Sequence, residues 1–159
     1  ATTTVRLDPD EEHTLDELAE IHGGRSNALR IGLRLLAAET QRHAALADLL
    51  ADWEHEAGPV DEDTVAAMSD RTALILDAGF LVSVDRDERT AQEFLTAALA
   101  HDTPLTTTHP VVAQVWRDGT RQARLARFLR SVVVLAFDDG PEVGHLLARS
   151  GTSDVVDAH

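Results

Sequence analysis

Polar and apolar positions alternate along residues 2–7, with Thr2, Thr4 and Arg6 on one face and Thr3, Val5 and Leu7 on the other. That period of two predicts a strand. From Asp8 onward the spacing changes to threes and fours. Asp8 followed by Pro9 reads as a helix start, and Asp10, Glu11 and Glu12 suit the positive end of its dipole. Leu15, Leu18 and Ala19, with Ile21 or His22, supply the apolar stripe, and Gly23-Gly24 stop the helix. Ser26 is read as the cap of a second helix running through Ala37. That helix is apolar too far round: Ala28, Ile31 and Leu35 make one stripe, and Leu29, Leu33 and Leu36 make another. One strand and one short helix cannot cover both. A unit of about 45 residues is also near the lower limit for an independent core. The pattern therefore predicts an intertwined dimer in which the strand pairs with its own copy.

Helical spacing continues from Glu39 to about Trp53, and Gly58-Pro59 break it. Asp61-Glu62-Asp63 begin a short acidic piece ending in Ala66-Ala67. Beyond it the pattern changes again. Leu74-Ile75-Leu76 is a run of large apolar residues, which predicts a strand buried on both faces. Helical stretches are predicted at 80–84, 88–100, 111–117, 122–129 and 141–149, and further strands at 104–107 and 132–135. Strands alternating with helices imply a parallel sheet flanked by helices.

Composition narrows the function classes. The chain has 159 residues, no cysteine, 43% hydrophobic content and a net charge of −14. Disulfides and thiolate metal sites are excluded. The eight histidines show no zinc spacing. No signal peptide or long apolar run is evident, so a cytoplasmic protein with no membrane partner is expected. The charge argues against broad nucleic-acid binding. It is uneven, however: residues 1–67 hold 15 acids and 5 arginines, a net −10, whereas residues 68–159 hold 13 acids and 9 arginines, a net −4. Any nucleic-acid contact is therefore local.

Thr-Val-Arg-Leu-Asp followed by Gly-Arg-Ser-Asn-Ala-Leu-Arg, within residues 2 to about 45, resembles the ribbon-helix-helix repressors, in particular VapB-like antitoxins. The resemblance implies operator DNA bound by a two-stranded β-ribbon in the major groove. Thr2, Thr4 and Arg6 would face base edges, with Arg6 able to make a bidentate contact to guanine. Ser26 and Asn27 would offer backbone N–H groups to a phosphate, with Arg25 beside them.

Residues 46–67 form the connector. Leu46, Leu49, Leu50, Trp53 and Val60 read as anchors for a groove on a partner. In antitoxins such a tail wraps the toxin. No arginine or lysine lies between Arg42 and Arg71, so the tail cannot block an acidic site by inserting an arginine. It is left with steric cover, or with pairing its carboxylates to arginines around the site. Met68, the one methionine, falls where a second reading frame would begin, and the chain starts at Ala1. Two gene products joined in one polypeptide are the expectation.

Asp77 stands at the carboxyl edge of the predicted central strand, where open α/β sheets place their ligands. Its bland role is to cap the next helix. Asp154 and Asp157, three apart, share a helix face and repel unless a cation neutralises them, which suits Mg²⁺ or Mn²⁺. Leu-Ile-Leu-Asp-Ala-Gly, Thr-His-Pro-Val-Val-Ala-Gln-Val-Trp-Arg and Thr-Ser-Asp-Val-Val-Asp-Ala, in that order, resemble a VapC-type PIN domain over residues 70–159. That family uses clustered carboxylates and Mg²⁺ or Mn²⁺ to cut RNA. The resemblance implies metal ligation by Asp77, Asp154 and Asp157, with Gln114 standing where the family has a glutamate. The arginines at 117, 121, 124, 127 and 130 read either as an RNA path or as a solvated face. The family's last strand is expected beyond His159, so the domain reads as incomplete at its C-terminus. The expected organisation is a dimeric ribbon-helix-helix at 1–45, a toxin-wrapping connector at 46–67 and a PIN-like α/β domain at 68–159. The alternative is a DNA-binding autoregulator whose PIN-like part is a catalytically dead partner domain.

Overall fold

A computed structural model describes residues 4–67 and 74–136. The chain divides into two compact units, residues 1–41 and 42–159. Among the described residues the structure is mostly helical, with a small three-stranded parallel sheet flanked by helices.

In the first unit, α1 spans Pro9–His22. Its start follows from the sequence. The Asp8 carboxylate accepts from the backbone N–H groups of Asp10 and Glu11 at 3.0 and 2.9 Å, while Glu11 accepts from the Asp8 N–H at 2.9 Å. This closed capping box satisfies donors that the helix itself cannot. Gly23, at φ 74°, ends α1 in the left-handed region, where a side chain would be strained. Helix α2 spans Arg25–Ala57 without a break. It begins one residue before the expected cap: Ser26 lies inside its first turn, and the amides of Asn27 and Ala28 bond to the Gly24 carbonyl. Residues 4–7 form no strand in the single chain. A lone strand has no ladder partner, and the expected pairing is with another copy.

The over-apolar character of α2 has a visible consequence. Ala28 and, on α1, Leu15 are buried, but Leu29, Leu33, Leu35 and Leu36 remain 52–66% exposed. Leu7, Leu15, Leu18, Ala28, Leu29 and Leu33 line an open apolar groove of about 510 Å³.

The second unit starts inside α2. After Gly58 (φ 83°), α3 spans Glu62–Ala67. Strand β1 (Leu74–Ile75) leads through α4 (Ala78–Asp85) and α5 (Arg89–Ala100) to β2 (Leu105–Thr108). Helices α6 (His109–Val115) and α7 (Ala123–Phe128) then lead, through a short 3₁₀ turn, to β3 (Val133–Leu135). The order is β1-β2-β3, all parallel, with Leu74 opposite Leu105 and Thr106 opposite Val133. Leu76, Leu81, Leu95, Leu105, Leu125 and Phe128 form the core, and Phe80 packs on Phe94 and Phe128 at centroid distances of 5.0 and 6.2 Å. The same core contains Leu46, Leu49, Leu50 and Trp53 of α2. The expected connector is thus an integral layer of the α/β unit.

Candidate functional site at the sheet edge and the docked helix

Asp77 follows β1 at the carboxyl edge of the sheet. Two contacts fix its backbone: the Leu76 amide donates to the Thr106 carbonyl at 2.8 Å, and the Thr107 hydroxyl donates to the Leu76 carbonyl at 2.9 Å. Continuing the β1–β2 register sets Asp77 level with Thr108. Asp77 Oδ1 accepts from the Phe80 amide at 2.7 Å and so caps α4, which is the bland role its position allows.

Gln114 lies in the last turn of α6 and its side chain is exposed. Its carbonyl accepts from Arg117 Nη2 at 2.6 Å. Asp154 and Asp157 lie outside the described residues, as do Thr2, Met68 and the predicted helix 141–149. Of the three aspartates read as ligands, Asp77 alone is described. One of its oxygens is engaged by a backbone N–H and the other has no partner among the described residues, which is compatible with a single bond to a hard cation. Among the described residues no group of three or more His, Asp or Glu side chains converges.

The contacts of residues 42–60 are more informative. Trp53 is 1% exposed, and the Arg124 guanidinium carbon lies 4.6 Å from its ring centroid. Arg124 also pairs with Glu56 at 2.5 Å and with Asp87. Arg127 pairs with Asp52 at 2.7 Å. Arg89 closes the end of α2, donating to the carbonyls of Ala57, Gly58 and Pro59, and the buried Gln92 adds a bond to the Gly58 carbonyl at 3.3 Å. These groups satisfy carbonyls that a helix C-terminus leaves open. At its other end the docked segment pairs His43 with Asp102 at 2.9 Å. Leu49, Leu50 and Trp53 are buried as anchors, and Val60 is half-buried. The polar contacts described here run to α5, α7 and the turns beside them; none is to Asp77 or Gln114.

Two arginines of the 117–130 series are therefore held by carboxylates of α2. Sequence spacing could not show this, because the partners lie 68 and 75 residues away. The Thr107 hydroxyl that pins the backbone before Asp77 also escaped sequence reading; its one signal was a threonine run ending a buried strand.

In the first unit Thr4 and Arg6 are exposed, but so is Val5, at 70%, so the single chain does not separate the two expected faces. Arg25 is paired with Asp16 at 2.5 Å. The bond from Arg25 holds the Asp16 carboxyl below its usual range, and Arg25 is raised in turn. The Asn27 side-chain amide donates to the His22 carbonyl at 2.6 Å. Its side chain thus ties the α1–α2 turn together. Among the described residues no helix is long and apolar enough to cross a membrane. The chain matches no family model, and no curated protein and no solved structure is similar to it at a significant level.

Proposed function

We propose that the chain joins a DNA-binding, dimerising antitoxin unit to a PIN-like ribonuclease unit, and that residues 46–67 act as the toxin-binding tail. One observation carries this reading: α2 inserts Leu46, Leu49, Leu50 and Trp53 into the core of the α/β unit, and pairs Asp52 and Glu56 with Arg127 and Arg124. Of the two routes open to a tail without arginines, the pairing of carboxylates is thus the one the contacts support. The exposed leucines of α2 and the groove beside them supply the dimerising face, and residues 2–7 of two copies would form the DNA-reading ribbon.

For the ribonuclease unit, Mg²⁺ or Mn²⁺ held by Asp77 with Asp154 and Asp157 would supply an activated water and neutralise charge on the phosphate. The chain's own contribution is to hold Asp77 at the sheet edge through Thr107 and β2. A second reading has its own observations. Asp77 already serves as a helix cap, and Gln114 is neutral, which favours a catalytically dead partner domain on a DNA-binding autoregulator.

RNA incubated with Mn²⁺ separates the two. The intact chain is expected to cut little or nothing. A variant with a loosened tail, Glu56→Arg with Asp52→Arg, is expected to cut, and Asp77→Asn in that background to abolish cutting. Operator binding without cutting by any variant would establish the autoregulator. Asp77-dependent cutting by the intact chain would refute inhibition by the tail.

A further inference from the structure

The loop between α6 and α7 holds a tryptophan in a way that packing alone does not require. Trp116 is 38% exposed, and its ring lies over Gly119. A β-carbon at Gly119 would sit 2.8 Å from Trp116 Cζ2 and 3.3 Å from Cη2, so any side chain there displaces the ring. The φ of Gly119 lies outside the left-handed region, so the ring, and not the backbone, calls for glycine at this position. The loop is firmly tied. Buried Gln122 accepts from the amides of Arg117 and Asp118 at 2.7 and 3.1 Å, and donates to Asp85 and to the Val115 carbonyl, each at 3.1 Å. Asp118 closes a turn by accepting from the Thr120 amide and hydroxyl at 2.9 and 2.7 Å.

The charge around this ring is opposite to that of the whole chain. Residues 116–130 carry five arginines against one acid, Asp118, in a chain of net charge −14. Arg124 and Arg127 are neutralised by Glu56 and Asp52. Arg117 spends its donors on the carbonyls of Ala113, Gln114 and Trp116, neutral acceptors that leave its charge in place. Arg121 is 88% exposed and only loosely paired, 3.7 Å from Asp118. An exposed aromatic ring on a tied loop, with one arginine next to it in the chain and a second in the same loop, is a combination that suits unpaired bases on a phosphate backbone.

We propose that Trp116 is a base-stacking platform for single-stranded RNA, with Arg117 and Arg121 flanking it for the phosphates. This assignment rests on the ribonuclease reading above and names the substrate class: unpaired RNA. It requires no movement of the tail, because among the described residues no hydrogen bond or ion pair of Trp116, Arg117 or Arg121 runs to residues 42–60.

The test is binding, measured apart from cleavage. The full chain is titrated at low salt in EDTA with a labelled single-stranded oligoribonucleotide of about ten nucleotides. Label anisotropy and intrinsic emission are both followed. Trp53 is 1% exposed, so quenching on binding reports Trp116. Trp116→Ala is expected to weaken binding about fivefold to about a hundredfold, with Trp116→Phe retaining most of the affinity. Gly119→Ala is expected to weaken binding with the tryptophan still present. Unchanged affinity of Trp116→Ala overturns the proposal, as does equal binding of a duplex of the same sequence, whose paired bases cannot stack on the ring. Failure of the intact chain to bind the oligonucleotide also overturns it, whatever the cleavage assay shows. Trp116-dependent binding with no Mn²⁺-dependent cutting by any variant upholds the platform and refutes the nuclease.

Discussion

Trp53→Ala tests whether residues 42–57 are core or appendage. The indole is 1% exposed and lies in one cluster with Leu49, Leu50 and the residues around the sheet. Truncating a buried tryptophan to alanine costs about 3–5 kcal/mol in lost transfer energy and residual cavity. Arg124, 17% exposed and 4.6 Å from the ring, loses a stacking partner worth roughly 1 kcal/mol. The expected loss is therefore about 4–6 kcal/mol, a large part of the roughly 5–15 kcal/mol that stabilises a domain. Glu54→Ala, on the solvent side of the same helix, is expected to change stability by less than about 0.5 kcal/mol. Urea unfolding followed by circular dichroism and by emission of the remaining Trp116 measures both. A Trp53→Ala loss below about 1 kcal/mol would refute the placement of α2 in the core, and with it the neutralising role of the tail. Separate transitions by the two probes would show that the first unit unfolds independently of the second.

Leu33→Glu is expected to leave the chain folded but to abolish the dimer in light scattering, because it puts a charge on the exposed apolar stripe of α2; a wild-type monomer at micromolar concentration would refute the ribbon-helix-helix reading outright. Asp16→Ala releases Arg25 from its 2.5 Å partner; if Arg25 serves a DNA phosphate, gel-shift titrations should show tighter operator binding and a steeper salt dependence by about one unit of slope. The bonds that Asp118 accepts from Thr120 hold its carboxyl below the ordinary 3.8, so their contribution is present above that pH and is lost as pH falls through the lower folded value. Trp116 emission should therefore stay flat on acidification to about pH 4 and change below it, and Asp118→Asn should remove that acid transition.

Much of the architecture was legible along the chain, because it rests on local physics. Asp8-Pro9 specifies a helix start through bonds within four residues, and α1 begins there; the capping box closed by Glu11 is what the structure adds. Gly23 and Gly58 stop their helices by taking left-handed φ values that other residues resist. The runs at 74–76, 104–107 and 132–135 are too short for helices, and strands there pair in parallel as the alternation with helices requires, although Ile75, expected to be buried, is 70% exposed. The excess apolar surface of α2 was also legible: Ala28 is buried, but no other apolar element nearby in sequence is available to cover Leu29, Leu33, Leu35 and Leu36.

What only the tertiary structure decided depends on contacts distant in sequence. Periodicity shows that Leu49 and Trp53 want burial but not what buries them. Here the answer is a core assembled from strands and helices more than about 20 residues further on, so a segment that reads as a connector is a layer of the second unit. Charge spacing lists five arginines; only packing separates Arg124 and Arg127, claimed by Glu56 and Asp52, from Arg117 and Arg121 beside Trp116. Asp77 shows the same limit. A carboxylate after a buried strand serves equally as ligand or as cap from sequence alone, and the bond from the Phe80 amide shows that it caps α4. Whether it also serves as a ligand turns on which side chains converge around it, a three-dimensional fact that no local pattern encodes.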